Sequence, residues 1–219
     1  MLIQTDFRHP AATIAASEVF APDVASLVGQ SLPTAMSYYR PNEVIFASGD
    51  AAGPLYLVVT GAVRIVRLTL DGRRQISGFH FAGEVFGLEA DGEHHCFAES
   101  VDGVGVRVLR PSNGGGFDHS ALKIALKSLQ RAHDHAVLLG RLTATEKMSA
   151  FLPDLLDRQG SDRVVNLPMQ RNDIADYLGL TFETVSRVLR ILKDRGLIRV
   201  ARVDQIEVLD AGALEDLGD

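Results

Sequence analysis

The chain has 219 residues, 46% of them hydrophobic and 23% charged, and carries a net charge of -6 at neutral pH. That length supports one large domain or two modest ones, and the acidic balance excludes an indiscriminate coater of nucleic acid while leaving room for a local basic patch. A lone cysteine, Cys96, excludes an intrachain disulfide framework and fits a reducing compartment, and the opening residues show neither a basic n-region nor a sustained apolar run, so a cytoplasmic protein is expected, with no export and no membrane partner.

After an N-terminal arm, a short helix is predicted over residues 23–32. From 35 to about 109 the texture becomes short β-rich runs broken by glycine, at 43–47, 55–60, 62–68, 73–79, 96–101 and 104–109. Asp71-Gly72 between two of these runs is a strong hairpin signal. Asp102-Gly103-Val104-Gly105 lacks the third glycine and the following helix of a dinucleotide loop, and reads as a further hairpin turn. Many short strands with regular turns predict an antiparallel β-roll of the jelly-roll kind, ended by Ser112-Asn113-Gly114-Gly115-Gly116. His94, His95 and Glu99 in this region raise the question of a metal. Adjacent histidines on a strand point to opposite faces and cannot easily share one ion, so a surface loop with two histidines and a buried thiol is expected, and no metal. Haem ligation by a histidine or by Cys96 stays open, because a sequence does not display a pocket.

A long helix is predicted next, over about 118–145. Leu122, Leu129 and Ala136 recur seven residues apart, and Leu126, His133 and Gly140 form the alternating set. That is an a/d seam with small residues where two helices can approach, and it favours a parallel homodimer over packing on the chain's own β-domain. His133 lies on the seam and is expected to be half-buried and neutral. A further helix over 146–158 turns Met148, Phe151, Leu155 and Leu156 inward, and 164–167, 198–201 and 205–209 read as the strands of a small wing.

Between these strands, residues 171–193 read as two short helices joined by a tight turn. The first supplies Ile174, Ala175 and Leu178 to a core; Ala175 is small enough for a close crossing, and Gly179 can adopt the left-handed turn conformation. The second puts Val185, Val188, Leu189 and Leu192 on one stripe and Glu183, Ser186, Arg187 and Arg190 on the other, at i, i+3, i+4 and i+7. Thr181 is its N-cap. Arginine pairs bidentately with guanine, glutamate accepts from cytosine N4, and serine serves several bases, so the outer stripe suits the major groove of double-stranded DNA. Arg187, Arg190, Lys193, Arg195, Arg199 and Arg202 are opposed within that span only by Asp194, which supplies phosphate attraction locally. No nucleophile elbow, phosphate loop or zinc-protease signature appears, so no enzyme is expected.

The chain is thus expected to be α+β: a β-roll with its N-terminal arm (1–116), a central dimerisation helix (117–145) and a winged helix-turn-helix (146–219). In that order, and through DIADYLGLTFETVSRVLRILKDRGLI above all, it resembles the CRP/FNR superfamily of bacterial transcription regulators, with Glu183, Ser186 and Arg187 in the pattern of the FNR and FixK branch. FAGEVFGLE, LPMQRNDIADYLGLT and RAHDHAVLLGRLTATEKMSAFL are similar to FixK-type proteins. The resemblance implies a fold like that of cyclic-nucleotide-binding rolls and an activator of microaerobic and respiratory genes. It also implies a TTGAT half-site in inverted repeat, Arg187 and Glu183 reading its G·C pair and Ser186 a neighbouring thymine. Arg171 matches a phosphate-contacting position, with Thr181, Arg190 and Lys193 beside it, and RNA polymerase is an implied partner, with 159–162 one candidate contact loop. Two departures matter. An iron–sulfur cluster needs four thiolates and this chain has one. Gly83-Glu84 fits cyclic-nucleotide binding, yet Cys96-Phe97 stands where an Arg-Ser phosphate clamp belongs. No cofactor is therefore expected. A ligand-gated regulator answering to haem, nitric oxide or another small molecule is the alternative, and a cupin-like metal enzyme the remote one.

Overall fold

The computed structural model describes residues 20–69, 72–112 and 119–218. α1 (Pro22–Gly29) opens with proline in its first turn, where a missing N–H leaves nothing unpaired, and buries Val24 and Leu27. Eight strands follow: β1 (Met36–Tyr39), β2 (Val44–Phe46), β3 (Leu55–Thr60), β4 (Ala62–Leu68), β5 (Arg74–Phe81), β6 (Val85–Phe86), β7 (Phe97–Ser100) and β8 (Val104–Leu109). They pair antiparallel into two four-stranded sheets, β1-β8-β3-β6 and β2-β7-β4-β5. Phe46, Val58, Val63, Phe86, Ala98, Val104 and Val106 fill the space between them. β1 and the two-residue β6 were not predicted; β1 is mostly exposed and β6 is too short to show a period.

The two predicted hairpins fare differently. Gly72 sits at φ 79 and Thr69 N–H donates to Arg73 O at 2.9 Å, between antiparallel β4 and β5, whereas Asp71 lies outside the described residues. At Asp102-Gly103 the chain makes no hairpin. β7 pairs with β2 and β4, β8 with β1 and β3, so this turn carries the chain from one sheet to the other. Gly103 has φ 111, and a Cβ there would lie 2.4 Å from the Tyr38 Oη. Of the glycine-rich boundary, 113–116 lies outside the described residues.

α2 (His119–Arg141) and α3 (Ala144–Gln159) meet at a sharp break where a helix to 145 was expected. The cause is a capping box: Thr143 Oγ1 accepts from Glu146 N–H, and Glu146 Oε2 accepts from Thr143 N–H at 2.6 Å. The rest comprises β9 (Val164–Asn166), α4 (Arg171–Leu178), α5 (Phe182–Asp194), β10 (Ile198–Arg202), β11 (Gln205–Val208) and α6 (Ala211–Gly218). The wing is a sheet in the order β10-β11-β9. α6, not predicted, buries Leu214.

The C-terminal lobe sits on the outer face of the β2-β7-β4-β5 sheet. Ala62, Val66, Ile76, Phe79, Phe81 and Val101 share one buried cluster with Met148, Phe151, Leu155, Ile174 and Leu178. β4 therefore buries Val63 toward the roll and Ala62 and Val66 toward the helices, which is why its apolar run scarcely alternates. No helix among the described residues is long and apolar enough to cross a membrane.

Candidate nucleic-acid interface

α5 is positioned by its apolar stripe. Val185, Val188, Leu189 and Leu192 are buried, as are Ile174, Ala175 and Leu178 of α4. Gly179 turns the chain at φ 62, letting Leu180 N–H reach Ala175 O at 2.9 Å. Thr181 Oγ1 accepts from Thr184 N–H at 3.2 Å, which caps α5 as expected.

The opposite stripe faces outward. Glu183, Arg187, Arg190 and Lys193 are exposed, and Ser186 is half-buried. Hydrogen bonds from its own backbone N–H and from Thr181 hold the Glu183 carboxyl below its ordinary value, so it presents an ionised acceptor at neutral pH. Arg187 Nη2 donates to Thr184 Oγ1 at 3.2 Å. Arg171, half-buried at the start of α4, donates from Nη1 to Ser186 Oγ at 3.2 Å, which ties a predicted phosphate contact to a predicted base reader. The cation cluster is less free than its spacing implied. Glu207 takes Arg199 and Asp204 takes Arg202 at 2.8 Å, while Arg187, Arg190, Lys193 and Arg195 form no ion pair among the described residues.

The α2 seam is open in the single chain. Leu122, Leu126 and Leu129 are 52%, 56% and 66% exposed, and His133, Ala136 and Gly140 are exposed beside them. Ile124, on the other face, joins the roll cluster of Leu55, Leu57 and Leu109. His133, expected to be half-buried, is exposed in the single chain. On this helix the buried histidine is His135: it stacks on Tyr177 at 4.1 Å, donates from Nε2 to Tyr177 O at 2.8 Å, and burial lowers its pKa.

The roll does not gather His94, His95 and Glu99. His94 is buried and stacked on Phe46 at 3.6 Å, with Nδ1 3.3 Å from Glu89 Oε1, so only one of the two histidines is at the surface. His95 is exposed and 2.9 Å from Asp91, and Glu99 is turned onto Arg64. Glu89, Asp91 and His95 instead bring ligand atoms within 4.8 Å of one another. Burial pushes the half-buried Cys96 thiol up to about 11, so it stays protonated. A cyclic nucleotide fits the roll poorly. Glu84 is committed to Arg158 at 2.8 Å and Arg131 at 3.0 Å. The cavity lined by Phe46, His80, Phe86, Cys96 and Ser128 measures only 150 Å³ and has no arginine in its lining, against roughly 300 Å³ or more for small-molecule pockets generally.

One constellation was not anticipated. Arg64, 8% exposed in the middle of β4, meets Glu99 and Asn42 at 2.8 Å and Asp173 Oδ2 at 3.2 Å. Arg74 Nη1 meets Asp173 Oδ1 and Asp176 Oδ2, both at 2.9 Å. A charge inside the apolar AVRIV run was the available signal, since a buried arginine requires acidic company.

A family model of the Crp-like helix-turn-helix domain matches residues 146–217, and one of the cyclic nucleotide-binding domain matches 36–109. The nitrogen fixation regulation protein FixK of Rhizobium meliloti (strain 1021) is 44% identical over 84% of this chain and 88% of that protein. The protein of the same name from Bradyrhizobium diazoefficiens is 37% identical over 82% and 80%. Among solved structures, FixK2 from Bradyrhizobium japonicum aligns with a TM-score of 0.80 at 39% identity, over 86% of this chain and 98% of that one.

Proposed function

The chain belongs to the CRP/FNR family of transcription regulators, alongside the FixK proteins, and from that premise we propose that it is a homodimeric activator reading a TTGAT-N4-ATCAA-like palindrome. The observation that carries this reading is the outward stripe of Glu183, Ser186 and Arg187 on a helix whose other face is buried. Arg187 pairs with the guanine O6 and N7, Glu183 accepts from the paired cytosine N4, and Ser186 meets a neighbouring thymine. Arg171 keeps one nitrogen on Ser186 and offers its remaining donors to phosphate, with Thr181, Arg190 and Lys193 around it. The exposed leucines of α2 close on a second copy, so a two-fold protein meets a two-fold site.

In this reading the protein is a binding protein and not an enzyme, works in the cytoplasm and contacts RNA polymerase through loops such as 159–162. It needs no iron–sulfur cluster, cyclic nucleotide, haem or metal; the single cysteine supports the first of these and the commitment of Glu84 to two arginines the second. A second reading, gating by a small ligand, rests on the place of the 150 Å³ cavity, where Ser128 of α2 stands beside His80 and Cys96; that volume suits a molecule the size of nitric oxide and not a haem or a nucleotide. A titration of single-base-substituted operators tests the assignment. Replacing the half-site guanine should cost about 1–3 kcal/mol per half-site, and a flat response across positions would overturn the base-reading roles.

A further inference from the structure

α5 enters DNA, yet it meets the roll through α4. α4 is held there by an ionic clasp. Each carboxylate oxygen of Asp173 is taken by a different arginine, Oδ2 by Arg64 and Oδ1 by Arg74. Asp176, three residues on and so on the same helix face, takes Arg74 as well, and its backbone carbonyl accepts from Gln75 Nε2 at 2.5 Å. The roll end is equally fixed: Arg64 and Glu99 are register partners on β4 and β7, and Asn42 Oδ1 takes another guanidinium nitrogen. Arg64 and Asp173 are 8% and 5% exposed.

We propose that this Arg64–Asp173–Arg74 clasp sets the separation of the two recognition helices and so determines which half-site spacing the dimer accepts, an inference that rests on the palindrome reading above. Buried ion pairs add little net stability over apolar packing of the same volume, but breaking one strands an uncompensated charge, so they hold position steeply. The hydrophobic term from the apolar contacts around the clasp, by contrast, is non-directional. The C-terminal lobe is joined covalently only at the break between α2 and α3, and the Arg158–Glu84 pair ties its first helix, α3, to the roll. The clasp adds a separate tie at α4, the helix that packs beneath α5, to a body already joined to the dimer helix through Ile124. The required precision is modest: one base pair of spacer moves a half-site by roughly 3.4 Å and turns it by about 35°. Asp173 and Arg74 are positioning residues; neither is assigned a DNA contact.

The test measures affinity of the full chain for TTGAT duplexes with spacers of three, four and five base pairs, for the parent, Asp173→Asn and Arg74→Gln. Arg74 is 31% exposed, so its variant should fold even where the Asp173 variant does not. The expected result is that the parent's preference for four base pairs falls about tenfold in both variants, equivalent to roughly 1.4 kcal/mol, while discrimination at the guanine is unchanged. Arg74→Lys, which keeps the charge and not the fork, should fall between. An unchanged spacer preference, or equal weakening on all three duplexes, overturns the clasp. Failure of the parent itself to discriminate the guanine overturns the base-reading roles instead. The clasp is then judged without DNA, by spin labels on Arg195→Cys in a Cys96→Ser background. Their interspin distance distribution should broaden in Arg74→Gln, and an unbroadened one overturns the clasp.

Discussion

Arg187 meets the hydroxyl of Thr184 and no carboxylate among the described residues, so its charge and most of its donors remain available to a base. Replacing it with alanine should lose about 1–3 kcal/mol per half-site and relax discrimination at the guanine. A competition assay with guanine-substituted duplexes reads both effects. A second residue governs pH rather than sequence. Burial pushes His80 down to about 4 from 6.5, outweighing the opposing pull of Glu84. Below 6.5 the unfolded chain binds a proton that the folded chain refuses, so this contribution is complete above 6.5 and lost as pH falls toward 4. The thermal midpoint should therefore drop across that window. His80→Gln should flatten the slope by up to about 1.4 kcal/mol per pH unit, and parallel curves for parent and variant would show that His80 does not cause it. Glu84, whose carboxyl the Arg158 pairing lowers despite its burial, acts in a separate window, its contribution fading only as pH falls below 4.5.

Among the elements, α5 was legible nearly residue by residue, because its inward stripe, its threonine cap and the glycine before it each have a local physical cause. β3, β4 and β8 were legible for the same reason, with apolar runs bounded by turn residues. Elements whose existence depends on a distant partner were not: β6 is a strand only because β3 lies beside it, and α6 only because α3 offers a face. The α2–α3 break was written in Thr143 and Glu146, but the heptad rhythm running up to Gly140 masked the capping signal. Thr143→Ala should cost about 1 kcal/mol, measurable by denaturant titration, whereas Leu192→Ala, which empties a fully buried site in the recognition helix, should cost about 2–5 kcal/mol. Comparable losses from the two would mean that α5 is not anchored by its inward stripe. The clasp escaped sequence reading because its arginines and aspartates stand about a hundred residues apart.

For the whole molecule, the outward leucines of α2 and the outward stripe of α5 belong to one proposal, in which the first would bring two copies together and the second would read two half-sites. Paired Leu126→Glu and Leu129→Glu substitutions should leave a folded monomer by sedimentation and abolish tight binding to the palindrome, since like charges would then face each other across the seam. A double variant that still sediments as a dimer would place the interface elsewhere. The most direct test of the central claim is a mobility shift of freshly purified protein, with no ligand, metal or haem added, on the TTGAT-N4-ATCAA duplex and on a scrambled duplex of equal composition. The account predicts a salt-sensitive complex of two chains per palindrome, with binding to the scrambled duplex weaker by at least about a thousandfold. Equal affinity for the two duplexes, or a palindrome complex that forms only once a small molecule is supplied, would contradict it.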